Sequence, residues 1–585
     1  MKKRLLALLL LLTLLVSNAL PSVAAAANKA DKTQATTTKH NEHGTTPFSE
    51  ITYKKPDFVA LDKKLNQLSS LLKKKNQEKK IDKLVEDIDA ALTEAVTMLR
   101  YLKLIYSKDV TKTDIVAEMN DITTEYYSYL LKYSNVCIQI LESSYGDNFK
   151  KDMTEEEIEE IYKTQKTLTP EYIKLSSEST RLYAEYVKAR NMTIDVNGTA
   201  MTLDQIPLSS TLTQEEIVKY SHQLYLSQNE AAGSVYLKLI EVYKQQAKLE
   251  GFEDVIDYFY DSYDRDYSKV DVKRFSTYVK ETIVPLYFDL YNSFTQDELV
   301  LLQSTPSGLK QLDPVFTEYF KAINPQMLEA YQYLLRYDLC DSDISETKEP
   351  ITYTTYLNSL NQPYIHINST GSYTDVQAFI HEFGHFYAYY RHGDDLSMNL
   401  DIFEIHSQAN ELLFSPYFSI YGDAYQPIMK YQLLNMLGTI ISGCLHDEFQ
   451  QYVYSHDVTS VKELNEIFFN LESQYGLVDP NSGFTEDMSW IMVPHTFQMP
   501  FYYISYAMSA VPALDIYCQS LTDREGAIKS YNKIMYYGTD YSFISTLIRS
   551  RVGSPFSERT INEITNTLRN MFGLKVNVTK QAPAA

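Results

Sequence analysis

Cysteine is scarce in this chain of 585 residues, which excludes a fold held together by a framework of disulfide bonds. The four cysteines are widely separated, and no two have the spacing of a metal knuckle or a redox pair: Cys137, Cys340, Cys444 and Cys518. We therefore expect buried thiols, with a single disulfide as the alternative.

Glycine and proline are also scarce, with 18 and 19 residues, and strand patterns are few. Amphipathic segments at helical spacing fill most of the chain, which indicates a mainly α fold. The best strand patterns are residues 363–368 and a hairpin at 193–202, where Asn197-Gly198 suits a tight turn. The predicted fold is thus mainly α with a small β element.

Positively charged residues are too few to balance the negative ones: 54 lysines and arginines against 76 aspartates and glutamates give a formal net charge of −22. Such a balance argues against nucleic acid and against an anionic membrane surface as partners. Residues 1–27 combine a basic start, a leucine-rich core and small residues up to Ala27, which is the pattern of a secretory signal peptide. The apolar core is short for a spanning helix, although an uncleaved anchor is the alternative. We expect a secreted protein without stable membrane insertion after signal cleavage.

The most informative segment is His381-Glu382-Phe383-Gly384-His385, which lies within a predicted helix. Two histidines four residues apart project from one helix face, where both can bind one metal ion. The glutamate between them can act as a general base toward a water molecule at the metal, as in zinc peptidases. We predict one zinc ion per chain. The alternative is a pair of histidines on an ordinary amphipathic helix.

Signals at both ends place this motif in the middle of the helix. Thr374 and Gln377 have the spacing of a capping box with Thr374 as N-cap, Asp375 lies in the first turn, and Gly393 is a stop signal. Gly384 costs a helix about 1 kcal/mol relative to alanine. We therefore expect a closely packed neighbouring helix that carries a third ligand.

A second periodic segment, Asn399 to Phe414, is the predicted source of that ligand. Glu404 and Glu411 are two helical turns apart and share a face. One can bind the metal while the other accepts a hydrogen bond from a ligand histidine. His406 faces elsewhere and is predicted to be structural, and Asp401 is predicted to be a capping charge.

Together these residues resemble the thimet oligopeptidase and oligoendopeptidase F group of zinc metallopeptidases. The resemblance rests on the histidine motif and on Glu404-x-x-Ser407-Gln408-x-x-Glu411 after it. It implies that Glu404 is the third ligand, that Glu411 stands behind a ligand histidine, and that the fold is a large multi-helix one with a deep substrate channel. The loop between the two helices is several residues shorter than is usual in that group, and brings the spacing near that of other gluzincins. The Gly-x-Met-Glu-Asn element of aminopeptidases is absent.

The resemblance extends to the strand pattern that precedes the metal-binding helix. It implies that this strand borders the cleft and pairs with an extended peptide. Tyr364, His366 and Gly371 are accordingly predicted to be substrate-strand residues.

A histidine and a tyrosine-rich block downstream also match the group. His495, Tyr503 and Tyr506 are predicted to act in catalysis, because phenolic hydroxyls can donate hydrogen bonds to an oxyanion. Tyr506 is the first choice and Tyr503, three residues earlier on the same predicted helix face, is the second. Tyr502 points off that face and is predicted to pack.

Five segments follow from these patterns. They are a signal peptide (1–27), a flexible linker (28–50), an N-terminal helical domain (51–205), a catalytic domain (206–575) and a tail (576–585). The N-terminal domain includes helices predicted near 63–75, 81–103 and 118–141, and the resemblance implies that it forms one wall of the channel.

The predicted activity is zinc-dependent hydrolysis of internal bonds in short oligopeptides. Two alternatives stay open at this point: a zinc exopeptidase, and a catalytically inactive peptide-binding protein on the same fold. Oligomeric state is not indicated by any pattern in the sequence.

Overall fold

The computed structural model describes residues 43–575, apart from 152, 154, 156–157, 159–160, 163–168, 350, 395–398, 479–484 and 539. The predicted signal peptide, the first part of the linker and the tail 576–585 lie outside these residues. None of the described helices is both long enough and apolar enough to cross a membrane.

The first helices of the chain enclose an apolar core of their own, which includes Leu68, Ile88, Leu92 and Tyr133. These helices are α1 (Phe58–Leu71), α2 (Glu78–Lys108), α3 (Asp114–Glu142), α4 (Gly146–Lys150) and α5 (Pro170–Arg190). Leu182 and Tyr186 of α5 belong instead to the larger core of the rest of the chain, so the two cores divide within residues 51–205.

The middle of the chain is a run of helices that leads up to the metal-binding motif. They are α6 (Gln214–Leu249), α7 (Val255–Ser262), α8 (Lys269–Tyr278), α9 (Val284–Tyr291), α10 (Gln296–Ser304), α11 (Asp313–Ile323) and α12 (Pro325–Tyr337).

The motif and its partners lie on the helices that follow. They are α13 (Thr374–His392), α14 (Leu400–Phe414), α15 (Tyr425–Ser455), α16 (Val461–Gln474), α17 (His495–Gln498), α18 (Ile504–Ser520), α19 (Arg524–Tyr537), α20 (Phe543–Ser550) and α21 (Glu558–Met571). The mainly α prediction is confirmed.

The predicted hairpin is present as β1 (Ile194–Val196) and β2 (Thr199–Met201). Its turn residues Asn197 and Gly198 have positive φ angles of 55° and 88°, as a tight turn between antiparallel strands requires.

A second sheet packs beside α13 and has the order β3-β5-β4. Its strands are β3 (Cys340–Asp341), β4 (Tyr353–Leu357) and β5 (Gln362–His366). The predicted strand is thus β5, and it occupies the middle of the sheet, parallel to β3 and antiparallel to β4.

The position of β5 contradicts the prediction that this strand borders the cleft and pairs with a substrate peptide. Neighbouring strands flank β5 on both sides, and the side chains of Tyr364 and His366 are buried. Gly371 has its carbonyl bonded to the Ser307 amide and its own amide bonded to the Asp375 carboxylate. The prediction that Tyr364, His366 and Gly371 bind substrate is therefore wrong, because their polar groups are buried or already occupied.

The end of the predicted linker is also not flexible. Phe48 is 6% exposed and its ring lies 4.0 Å from that of Tyr364. The carbonyl of Gly44 accepts a hydrogen bond from Tyr333, and that of Thr46 accepts one from the Gln362 amide. The linker prediction is wrong for residues 43–50, because one buried aromatic residue fixes an otherwise polar segment.

All four cysteines are free thiols, and Cys137 and Cys444 are fully buried. The disulfide alternative therefore does not apply.

Candidate active site

Helix α13 carries the histidine motif and begins differently from the prediction. The residue before its first turn is Tyr373, which provides no side-chain cap, and Thr374 is already helical. Asp375 instead turns its carboxylate back to accept hydrogen bonds from the amides of Thr370 (2.8 Å) and Gly371 (2.9 Å). The capping box prediction is wrong, since a local carboxylate holds the preceding loop. Gly393 ends the helix as predicted.

Gly384 lies where α13 crosses α14. A Cβ atom at this position would be 2.5 Å from the His406 carbonyl oxygen and 2.7 Å from the Ser407 Cα. Any side chain would force the two helices apart. The prediction of a closely packed neighbouring helix is confirmed, and Asn399 caps that helix by accepting a hydrogen bond from the Asp401 amide.

Three side chains from α13 and α14 converge on one point. Glu404 Oε2 lies 3.5 Å from His385 Nε2 and 3.7 Å from His381 Nε2. Ligand atoms around a tetrahedral zinc ion are about 3.3 Å apart, given bonds of about 2.0 Å. The three atoms fit one such ion, and no other group of three histidine, cysteine or carboxylate ligands occurs among the described residues.

The ligands are oriented by neighbours that do not reach the metal position. Glu411 Oε1 lies 2.6 Å from His381 Nδ1, which leaves the other ring nitrogen for the metal. Ser407 Oγ donates a hydrogen bond to Glu404 Oε2 at 3.2 Å. Glu411 therefore stands behind His381, as the family resemblance implies.

Glu382 is 6% exposed and lies beside the ligands on α13. Thr354 of β4 donates a hydrogen bond from Oγ1 to Glu382 Oε2 at 2.6 Å. The strand that borders the site is thus β4, and this strand has no counterpart in the sequence predictions.

Residues 334–566, which include all of these side chains, match the family model of peptidase family M3. The matched segment, residues 334–566, belongs to peptidase family M3. Peptidases of this family depend on a metal, and this M3 peptidase is accordingly a metallopeptidase with peptide substrates.

Solved structures share the fold of this M3 peptidase at low identity. One was assigned as an oligoendopeptidase F (TM-score 0.73, 20% identity, 90% of this chain and 99% of that chain). The second is PZ peptidase A with an inhibitor (0.72, 18%, 90% and 99%). A third, assigned as an oligoendopeptidase F from Bacillus anthracis, gives a TM-score of 0.71 at 20% identity over 91% and 98%. At such identities the likeness establishes the fold. A search of curated proteins finds no match.

A cavity of about 330 Å³ opens beside the ligands of this M3 peptidase. His495, Tyr503 and Tyr506 meet there, and the ring centroid of His495 is 5.5 Å from that of Tyr503 and 5.7 Å from that of Tyr506. The described residues that line it are mostly neutral and polar, with no lysine or arginine among them: Gln377, His381, Gln408, Glu411, Gln432, Asn435, Met436, Thr439, His495, Tyr503 and Tyr506.

The contacts of Tyr502 contradict the prediction that this side chain only packs. Its hydroxyl donates a hydrogen bond to Glu404 Oε1 at 3.2 Å, and its ring stacks on His495. Helix α18 begins at Ile504, so Tyr502 precedes the helix and its direction does not follow from helical spacing.

The electrostatics of the site suit a divalent cation. Burial opposes ionisation of Glu404, but His385 and His381 outweigh burial and lower its pKa to about 2. Burial likewise opposes protonation of His381, yet the hydrogen bond and charge of Glu411 raise its pKa to about 9. Both directions arise from the attraction between these carboxylates and imidazoles, and a divalent cation held by Glu404 and the two histidines would take the place of that attraction.

The aromatic side of the site holds neutral groups. Burial raises the pKa values of Tyr502 and Tyr506 well above their ordinary range, so both phenols stay protonated and can donate hydrogen bonds. Burial lowers the pKa of His495 to about 4, which keeps its imidazole neutral.

The two remaining titratable residues of α14, Asp401 and His406, have structural environments. His406 is fully buried, and burial lowers its pKa well below the usual range, in agreement with a structural role. Asp401 is 1% exposed and accepts a hydrogen bond from Tyr267 at 2.8 Å. Asp401 lies in the first turn of α14, as predicted for a helix-start charge, and its carboxylate is also bonded inside the core.

Proposed function

We propose that this M3 peptidase is a zinc-dependent endopeptidase that hydrolyses internal bonds of short peptides. The observation that carries the proposal is the convergence of His381, His385 and Glu404 with Glu382 beside them, next to a cavity that His381 lines. Two imidazoles and one carboxylate form an accepted catalytic zinc shell that leaves a position for water.

The reaction is then divided among named side chains. Zinc held by His381, His385 and Glu404 would supply Lewis acidity toward the scissile carbonyl and a water molecule. Glu382 takes the proton of the attacking water and later passes it to the leaving amine. Tyr506, with Tyr503 or His495 beside it, donates a hydrogen bond to the developing oxyanion.

An internal cleavage site is favoured by the charge of the cavity. A carboxypeptidase must hold a free terminal carboxylate, for which proteins use a cation or a cluster of backbone amides. Among the described residues, the cavity lining offers no lysine or arginine for this purpose. A structure named Trypanosoma cruzi metallocarboxypeptidase 1 shares the fold more distantly (TM-score 0.53, 12% identity, 87% of this chain and 99% of that chain), so the exopeptidase alternative is part of the test.

The decisive experiment uses an internally quenched peptide with an acetylated amino terminus and an amidated carboxyl terminus. We expect wild-type protein to cleave it, a chelator to stop cleavage, and added zinc to restore it. Glu382→Gln should bind one zinc per chain but lose about 10²–10⁴ in kcat. The matched control is Glu230→Gln on an exposed part of α6, which should behave as wild type.

Three results would contradict the proposal. Cleavage only of peptides with free termini would indicate an exopeptidase. Zinc and peptide binding without turnover would indicate an inactive peptide-binding protein. Full activity of Glu382→Gln would remove the role assigned to the base.

The oxyanion role is tested separately with two phenylalanine variants. We expect Tyr506→Phe to lower kcat by about 10²–10³ with little change in KM, as for loss of one oxyanion donor, and Tyr503→Phe to lower it less. The reverse order would make Tyr503 the principal donor.

We further propose that the enzyme works outside the cytoplasm, on the basis of the signal-like pattern in residues 1–27. Expression of the full chain in a bacterium, followed by fractionation and sequencing of the mature amino terminus, should recover exported protein cleaved near Ala27. Recovery of an uncut chain in the cytoplasm would contradict this.

A further inference from the structure

One hydrogen bond to Glu382 comes from outside the helices that carry the metal ligands. Thr354 Oγ1 lies 2.6 Å from Glu382 Oε2 and 3.0 Å from the Glu382 carbonyl oxygen. The hydroxyl has a single proton, and the charged carboxylate at the shorter distance is the stronger acceptor. The proton of Thr354 therefore points at the carboxylate.

This contact leaves the two carboxylate oxygens of Glu382 in different situations. Oε2 is held by Thr354, whereas Oε1 accepts no hydrogen bond from any described residue. A carboxylate with one anchored oxygen cannot rotate freely, so the other oxygen keeps a fixed direction. Oε1 is then the oxygen available to take a proton from water.

The strand geometry explains why Thr354 reaches this position. Side chains alternate along β4, and Tyr356, on the same face as Thr354, stacks on Tyr389 of α13. Tyr353, on the other face, contacts Ser107 of α2 through its hydroxyl. The side chains of residues 354 and 356 thus face α13, and that of Thr355 faces α2.

The backbone of Thr354 lies on the open edge of the sheet. Thr354 is opposite Ile365, whose amide is bonded to the Leu339 carbonyl on the far side of β5. The pair is therefore a non-hydrogen-bonded one, in which the amide and carbonyl of Thr354 point away from β5. Thr354 thus lies on the edge strand of the sheet with its backbone and contacts Glu382 with its side chain.

We infer that Thr354 is a positioning residue for Glu382. It fixes the carboxylate through Oε2 and couples the orientation of the base to strand β4. This inference rests on the proposed function, because it concerns the base of that reaction.

The test compares Thr354→Val, which keeps the shape and removes the hydroxyl, with Thr354→Ser, which keeps the hydroxyl. We expect Thr354→Val to lower kcat by about 10- to 100-fold, in line with the cost of a misplaced catalytic group, with KM changed less than about threefold. Thr354→Ser should recover most of the loss. Zinc content and the thermal unfolding midpoint should match wild type in both variants.

Two controls separate positioning from general damage to the strand. Thr355→Val makes the same change on the opposite face of β4 and should leave kcat unchanged. In a Glu382→Gln background, adding Thr354→Val should cause no further loss, because Thr354 acts through the carboxylate.

The outcomes are distinguishable from failure of the proposed function. If wild type is active and Thr354→Val has the same kcat, the inference alone is overturned. The same holds if the valine and serine variants lose kcat equally, or if Thr354→Val lowers kcat further in the Glu382→Gln background. Wild type without metal-dependent cleavage overturns the proposed function and this inference with it.

Discussion

Glu411 touches His381 and not the metal position, and the 2.6 Å contact with Nδ1 fixes which ring nitrogen faces the ligand cluster. Glu411→Gln keeps the shape but removes the charge. Loss of such an outer contact typically weakens metal binding about 10- to 100-fold. We expect a correspondingly higher zinc dissociation constant by competition with a chelating dye, and activity that recovers in excess zinc. An unchanged dissociation constant would show that the contact is not needed to orient the ring.

A second residue-scale prediction concerns pH and lies away from the site, on α16. Burial and the neighbouring carboxylate of Asp487 raise the pKa of Glu472 to about 8. The folded state thus binds a proton that the unfolded chain releases near pH 4.5, the ordinary pKa of the group. The stabilisation is fully present below that pH and is lost as pH rises through 8.

Glu472→Gln removes this titration. Between pH 5.5 and 8.5 the free energy of unfolding of wild type should fall by about 1–2 kcal/mol more than that of the variant, allowing for partial solvent contact. Urea unfolding at the two pH values measures the difference. If the free energy of unfolding changed with pH equally in the two proteins, the Glu472 carboxylate would be ionised in the folded protein as it is in water, which would contradict the prediction.

Single residues were predictable where their chemistry is contained in one local pattern. Helical spacing puts His381 with His385, and Glu404 with Glu411, on one face of each helix, and the family resemblance implied which glutamate faces the metal position. Thr354 was not predicted, because its contact with Glu382 lies between a strand and a helix and spans 28 residues of sequence. Nothing in the sequence around Thr354 carries that information.

At the scale of elements, the close crossing of α13 and α14 depends on Gly384. Gly384→Ala raises helix propensity but places a Cβ 2.5 Å from the His406 carbonyl oxygen. Overpacking of this kind costs about 1–3 kcal/mol, so we expect lower stability and weaker zinc binding. Thermal unfolding and zinc titration measure both.

The matched control is Gly438→Ala in the interior of α15, where the nearest atom outside the helix backbone, on the Tyr287 ring, is 3.5 Å from the new Cβ. That variant should be neutral or slightly stabilised. A stable Gly384→Ala protein with unchanged zinc affinity would show that the two helices can separate without cost to the site.

Helices were easier to predict than strands for a physical reason. Periodicity is local, and it located α1, α2 and α3 to within a few residues of Phe58–Leu71, Glu78–Lys108 and Asp114–Glu142. The order of strands in a sheet depends on pairing between distant segments. Periodicity therefore predicts β5, but it shows neither the middle position of β5 in the sheet nor the presence of β4.

At the scale of the whole molecule, residues 43–50 tie separate parts together. Phe48 packs against Tyr101 of α2 and Tyr364 of β5, while Gly44 is bonded to Tyr333 of α12. Composition predicts a linker here because most residues of the segment are polar. Composition does not show that one aromatic side chain, that of Phe48, inserts into the core.

This packing predicts how the chain responds to truncation. A chain that starts at His43 should unfold at the wild-type midpoint, whereas one that starts at Ile51 loses the Phe48 contacts and should unfold at a lower temperature. Phe48→Ala in the full chain should cost about 3 kcal/mol, as for a buried phenylalanine. Glu50→Ala, at an exposed position of the same segment, should change stability by less than about 0.5 kcal/mol. Equal midpoints for the two truncated chains would mean that the segment rests on the surface without stabilising it.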